Sequence, residues 1–142
     1  RNDGKGRIMI GYVTLGSDNM PRARDFYDQL LGSTIGAKRI MEFGDDLGGF
    51  TMWGTGFDKP GIAVTNPYNK QPAVAGNGNM SAIVVNSRAK VDEIHAKALE
   101  LGGTCEGPPG VRGEEGPQAF YGAYFRDLDG NKLCAFRIGP AE

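Results

Sequence analysis

Histidine, tryptophan and cysteine are scarce in this chain of 142 residues, which has one, one and two of them. A single imidazole excludes paired-histidine motifs and histidine-rich metal centres. Two cysteines are too few for a secreted disulfide scaffold and read as free thiols of a cytoplasmic protein. Neither sign of charge dominates, because 16 Lys and Arg stand against 17 Asp and Glu for a net charge of -1. A nucleic-acid binder shows a basic excess or stripe, so no such partner is expected. Long apolar runs are also missing: stretches such as Ala82 to Val85 fall far short of a membrane span, and no membrane partner is expected. Arg1 to Arg7 is polar and lacks the apolar centre of a secretory signal. Residues 1–8 therefore read as a disordered lead-in before Met9.

Glycine is what the chain has in excess, 23 of 142 residues, more than twice the usual share of roughly 7%. It has no collagen-like period and punctuates apolar runs as turn residues do. Ile8 to Leu15 reads as a strand ending at Gly16. Asp18 or Asn19 then offers an N-cap with Pro21 close behind. Met20, Ala23, Phe26, Tyr27, Leu30 and Leu31 follow at helical spacing, which predicts a helix over residues 20–31 stopped by Gly32. Ala37 to Phe43, Phe50 to Trp53 and Gly61 to Thr65 read as three strands, and the polar stretch Tyr68 to Asn79 as a connector. The order then repeats. Met80 to Val85 is a strand, and Val91, Ile94, Ala98 and Leu99 predict a helix over residues 88–101 closed by Gly102 and Gly103. Three more strands follow: Cys105 to Val111, broken by two prolines; Phe120 to Phe125; and Lys132 to Arg137. The turn Asp127-Leu128-Asp129-Gly130-Asn131 joins the last two.

Both halves are thus strand-helix-strand-strand-strand. Ala23, Phe26 and Leu31 superpose on Val91, Ile94 and Leu99, so both helices keep the same apolar stripe. The spacing is too long for a solenoid repeat and marks an internal duplication. The expected fold class is α+β: one domain over residues 9–140, with βαβββ modules at about 9–67 and 79–138. The halves are expected to form a curved mixed sheet around a cavity, with the helices outside and a ligand on the inner face.

The strand Tyr12-Val13-Thr14-Leu15, the helix carrying Phe26-Tyr27 and Leu30-Leu31-Gly32, the second helix ending Leu101-Gly102-Gly103, and the run Tyr124-Phe125-Arg126-Asp127-Leu128-Asp129-Gly130-Asn131 together carry a resemblance. The chain resembles the glyoxalase/bleomycin-resistance/dioxygenase superfamily, the vicinal oxygen chelate proteins. The resemblance implies a homodimer. It also implies that metal-dependent members take ligands, His or Gln, Glu, His and Glu, from the first and last strands of each half. The matching positions here are Tyr12, Ala63, Met80 and Cys134, and the internal repeat pairs the same four. They do not make a catalytic metal site, which needs about three ligands from His, Cys and carboxylates. Neither a metal nor another cofactor is therefore expected. His95 is expected beside Ile94 at the edge of the second helix's buried stripe, as a surface or boundary residue rather than a ligand, and Cys134 as a buried inert thiol without a base.

Strand alternation aims Tyr12, Met80, Cys134 and Phe136 at the cavity, and Trp53 and Tyr124 are expected to close its walls. The same residues also suit the filled interior of a curved sheet. Arg39, Glu42 and Arg112 are candidate polar contacts. The expected function is metal-independent binding of a small organic ligand. A glyoxalase-like lyase or isomerase, or an extradiol-type dioxygenase, is the alternative that the resemblance implies.

Overall fold

A computed structural model describes residues 9–142; the lead-in expected at residues 1–8 lies outside the described residues. The first module runs β1 (Tyr12–Gly16), α1 (Met20–Ile35), β2 (Lys38–Glu42), a single 3-10 turn (Asp45–Leu47), β3 (Thr51–Gly54) and β4 (Gly61–Thr65). The second runs β5 (Ser81–Val84), α2 (Arg88–Glu100), β6 (Thr104–Arg112), β7 (Phe120–Arg126) and β8 (Lys132–Ile138). The α+β class and the duplicated βαβββ order are as expected.

The helices begin where their caps dictate. The Asn19 side chain accepts from the Arg22 amide at 3.1 Å, and the Ser87 hydroxyl accepts from the Lys90 amide at 3.1 Å. The first helix outlasts its expected end at Leu31. Gly32 is tolerated inside it because the next turn still buries Thr34, whose hydroxyl donates to the Leu30 carbonyl. The stop comes instead at Gly36, where a φ of 70° forms a left-handed cap. The β6 strand is irregular as expected, with register shifts between Cys105 and Gly107 and between Gly107 and Gly110.

Each module forms its own mixed sheet, in the orders β1-β4-β3-β2 and β5-β8-β7-β6. In both, the first strand lies parallel to the last and the remaining pairs are antiparallel. Among the described residues the two sheets are not joined by strand pairing, and the helices do not lie outside as expected. Instead α1 packs on α2, and one core takes Phe26, Leu30, Val91 and Ile94 from the helices with Trp53, Val64, Phe125 and Leu133 from the sheets. The physical reason is that each helix stripe has to bury more apolar surface than one sheet face offers, and the other helix supplies it. The remaining face of each sheet consequently looks outward.

The Asp127–Asn131 turn ties the modules together. Tyr27 Oη donates to Asp127 Oδ2 at 2.6 Å, and Asn131 Nδ2 donates to the Gly16 carbonyl at 2.9 Å. Asp127 also accepts from the Asn131 side-chain amide and, through Oδ1, from the amides of Asp129 and Asn131. Burial first, and then the adjacent Asp127 carboxylate, push the Tyr27 hydroxyl well above its ordinary pKa, so it stays a donor.

Candidate functional site

The outward face of the second sheet is built by alternation along β7 and β8. Phe120, Gly122 and Tyr124 on β7 stand beside Ile138, Phe136 and Cys134 on β8, while Ala123, Phe125, Leu133 and Ala135 point into the core. Phe120 and Phe136 stack with ring centres 5.3 Å apart and 7° between their planes. Gly122 makes room for this, since a Cβ there would sit 2.6 Å from the Phe120 ring. Next to the stack, Tyr124 carries two cations over its ring, Arg112 at 5.3 Å and Lys132 at 5.6 Å. Arg112 is held in place by donating to the carbonyls of Gly110 and Pro108 at 2.9 and 2.6 Å. Cys134 is fully buried beneath these groups. Burial pushes its thiol pKa up, outweighing a hydrogen bond involving Tyr124 and the charges of Arg112 and Lys132, so it is a neutral filler rather than a thiolate.

The outward face of the first sheet differs. Tyr12 meets Phe50 edge-on at 5.9 Å, and Phe50 lies 5.8 Å from Phe43. Tyr12, Met41 and Phe43 are all exposed. Between the modules runs an open groove of about 900 Å3, lined by Val13, Ile62, Leu31 and Ile35 on one side and by Met80 and Ile83 on the other.

The six residues expected around one cavity therefore fall in three places. Tyr124, Cys134 and Phe136 come together on the second sheet. Tyr12 lies on the outward face of the first sheet. Met80, which directly precedes β5, lines the inter-module groove. Trp53 also borders that groove, but it is a core residue rather than a cavity wall: it is 1% exposed, its ring lies 5.4 Å from Tyr27, and its indole N–H donates to Asp28. Alternation explains this, since Met52 and Gly54 take the outward positions of β3.

Arg112 lies on the outward face as a polar contact there would require. Arg39 and Glu42 do not. They bond to each other, and Arg39 forks onto Asp28 at 2.9 and 2.7 Å on the helix side. A β-bulge between Arg39 and Met41 shifts the register and keeps both charges on that side. Phe120 and Lys132 were missed by the sequence reading, although the period-two count from Cys134 places Lys132 on its face. His95 is buried rather than at the exposed edge of the α2 stripe, and it contacts Cys105.

The four positions matching the ligands of metal-dependent relatives do not fit a metal. They supply a phenol, a methyl group, a thioether and one buried neutral thiol, divided between the two modules. Among the described residues, no group of three or more His, Cys, Asp or Glu could hold a metal ion.

The model of the Glyoxalase/Bleomycin resistance protein/Dioxygenase superfamily matches residues 9–135. The chain belongs to this superfamily. A glyoxalase/bleomycin resistance protein from Albidiferax ferrireducens T118 is similar at 34% identity over 92% of this chain and 98% of that one, with a TM-score of 0.76. Lactoylglutathione lyase from Agrobacterium tumefaciens shares the fold, with a TM-score of 0.61 and 18% identity over 92% of this chain and 93% of that one. The hypothetical protein SA1046 from S. aureus shares it too, with a TM-score of 0.66 and 23% identity over 92% and 97% of the two chains. The curated proteins contain no match. The superfamily match and the duplicated sheets agree. Among the described residues, no helix is long and apolar enough to cross a membrane.

Proposed function

We propose that this superfamily member binds a small organic molecule with a planar apolar body, without a metal ion, in a cavity that two copies of the chain form together. The carrying observation is the outward face of the second sheet, where the Phe120–Phe136 stack adjoins Tyr124 and its two cations. Rings of this kind give large contact area with little loss of rotamer freedom, and the Tyr124 hydroxyl and Arg112 supply orienting polar contacts. One chain leaves that face open. Among the described residues it also leaves β1 and β5 at the edges of their sheets and exposes Tyr12, Met80 and Val84 beside them. A second copy that laid its first sheet opposite the second sheet of its neighbour would cover these edges and close the cavity. Two free thiols suit a reducing compartment such as the cytoplasm. Lyase chemistry of the kind named for the Agrobacterium relative is disfavoured, because the four ligand-like positions here cannot assemble a metal site.

The test is a thermal-shift screen of small aromatic compounds, followed by calorimetric titration and sedimentation. The expected outcome is a dimer and at least one compound that binds the unmodified chain but loses about tenfold or more of its affinity in Phe136→Ala. Equal binding by that variant, or stabilisation by zinc in place of an organic compound, overturns the reading.

A further inference from the structure

Behind the second sheet, where α2 crosses β6, the chain's one imidazole meets one of its two thiols. His95 Nε2 lies 3.2 Å from Cys105 Sγ, within the reach that a base needs to take a proton from a nucleophile. His95 is 7% exposed, and among the described residues Cys105 is its only hydrogen-bond partner. The two groups differ in access: the ring is enclosed while the thiol is exposed. Burial holds the imidazole below its ordinary pKa against the opposing charge of Asp92, so the ring is neutral near pH 7. In the tautomer with its proton on Nδ1, Nε2 is free to accept from the thiol. The other thiol, Cys134, is fully buried and has no imidazole beside it.

We propose that Cys105 is a modification site: a thiol activated by His95 that exchanges with small-molecule disulfides of the glutathione class. As Cys105 Sγ gives its proton to His95 Nε2, it attacks one sulfur of the disulfide. The Cys105–sulfur bond forms and the disulfide bond breaks. The electron pair of the broken bond leaves on the second sulfur as a thiolate, which then takes the proton from the imidazolium. The products are a mixed disulfide on Cys105, now oxidised, and one equivalent of free small thiol, now reduced. The site is on the other side of the sheet from the proposed ligand face and does not depend on that reading.

The experiment treats the reduced native protein with oxidised glutathione and maps the product after trypsin digestion, which separates Cys105 (residues 98–112) from Cys134 (residues 133–137). The mixed disulfide is expected on the Cys105 peptide. It should form about tenfold faster or more than on a synthetic peptide of residues 98–112, because the peptide lacks the base. His95→Asn should bring the rate down to that of the peptide. A native rate equal to the peptide's, a rate unchanged in His95→Asn, or modification centred on Cys134 overturns the proposal. The comparison of native protein with peptide decides the matter even if His95→Asn fails to fold.

Discussion

In the first module the core is filled by large rings, Phe26, Tyr27 and Trp53, whereas the second packs Ala98, Ala123 and Ala135 around Val91, Ile94 and Phe125. Their outward faces diverge as well. That of the first sheet is aromatic, with Tyr12 on Phe50 and Phe50 near Phe43, while that of the second adds Arg112 and Lys132 around Tyr124. The same topology has thus been filled twice with different volumes and different charge. A duplicated backbone constrains the alternation of faces and leaves the chemistry of each face free to drift. The modules are also unequal at their β-turns. The turn before β8 reaches across to Tyr27 and Gly16, whereas Asp58, in the corresponding turn before β4, pairs only with its neighbour Lys59 among the described residues.

The largest expected effect separates the two modules' shares of the core. Phe26→Ala empties a ring-sized space and should cost about 4 kcal/mol. Ala123→Leu overfills the tighter second module and should cost about 2 kcal/mol. Urea denaturation of both variants checks this, and equal costs would mean that the modules are packed alike. Next is the contrast between the turns. Asp127→Ala leaves the buried Tyr27 hydroxyl and the amides of Asp129 and Asn131 without their acceptor, and should destabilise by about 3 kcal/mol. Asp58→Ala should lie within about 0.5 kcal/mol of the parent. The smallest effect depends on pH. Burial alone would raise the pKa of Asp28, but hydrogen bonds from Arg39 and Trp53 outweigh it and hold the carboxyl below its ordinary 3.8. Such a group adds stability above its unfolded pKa and loses it as the pH falls through its folded one, so its share disappears below about pH 4. Its side chain is 41% exposed, and solvent screening keeps that share under about 1 kcal/mol. Asp28→Asn should therefore flatten the acid limb of a stability-against-pH curve while Trp53 still donates to the amide oxygen.

The sequence by itself was enough for the two helices, the eight strands and the duplication, because periods of 3.6 and 2 and well-placed caps are local properties; the superfamily was legible only through resemblance, in motifs such as the run Tyr124 to Asn131. It also indicated that Tyr12, Ala63, Met80 and Cys134 cannot form a metal site, which follows from donor chemistry alone. Only the tertiary structure decided that α1 would pack on α2 and turn the remaining sheet faces outward, since the depth of each helix stripe depends on what lies opposite it. The bulge in β2 decided the placement of Arg39 and Glu42. One residue of register at β3 sent Trp53 into the core, where its indole N–H finds Asp28. The meeting of His95 and Cys105 likewise depends on how α2 crosses β6. Ten residues of sequence separation say nothing about a 3.2 Å approach, because that distance is fixed by packing rather than by any local preference.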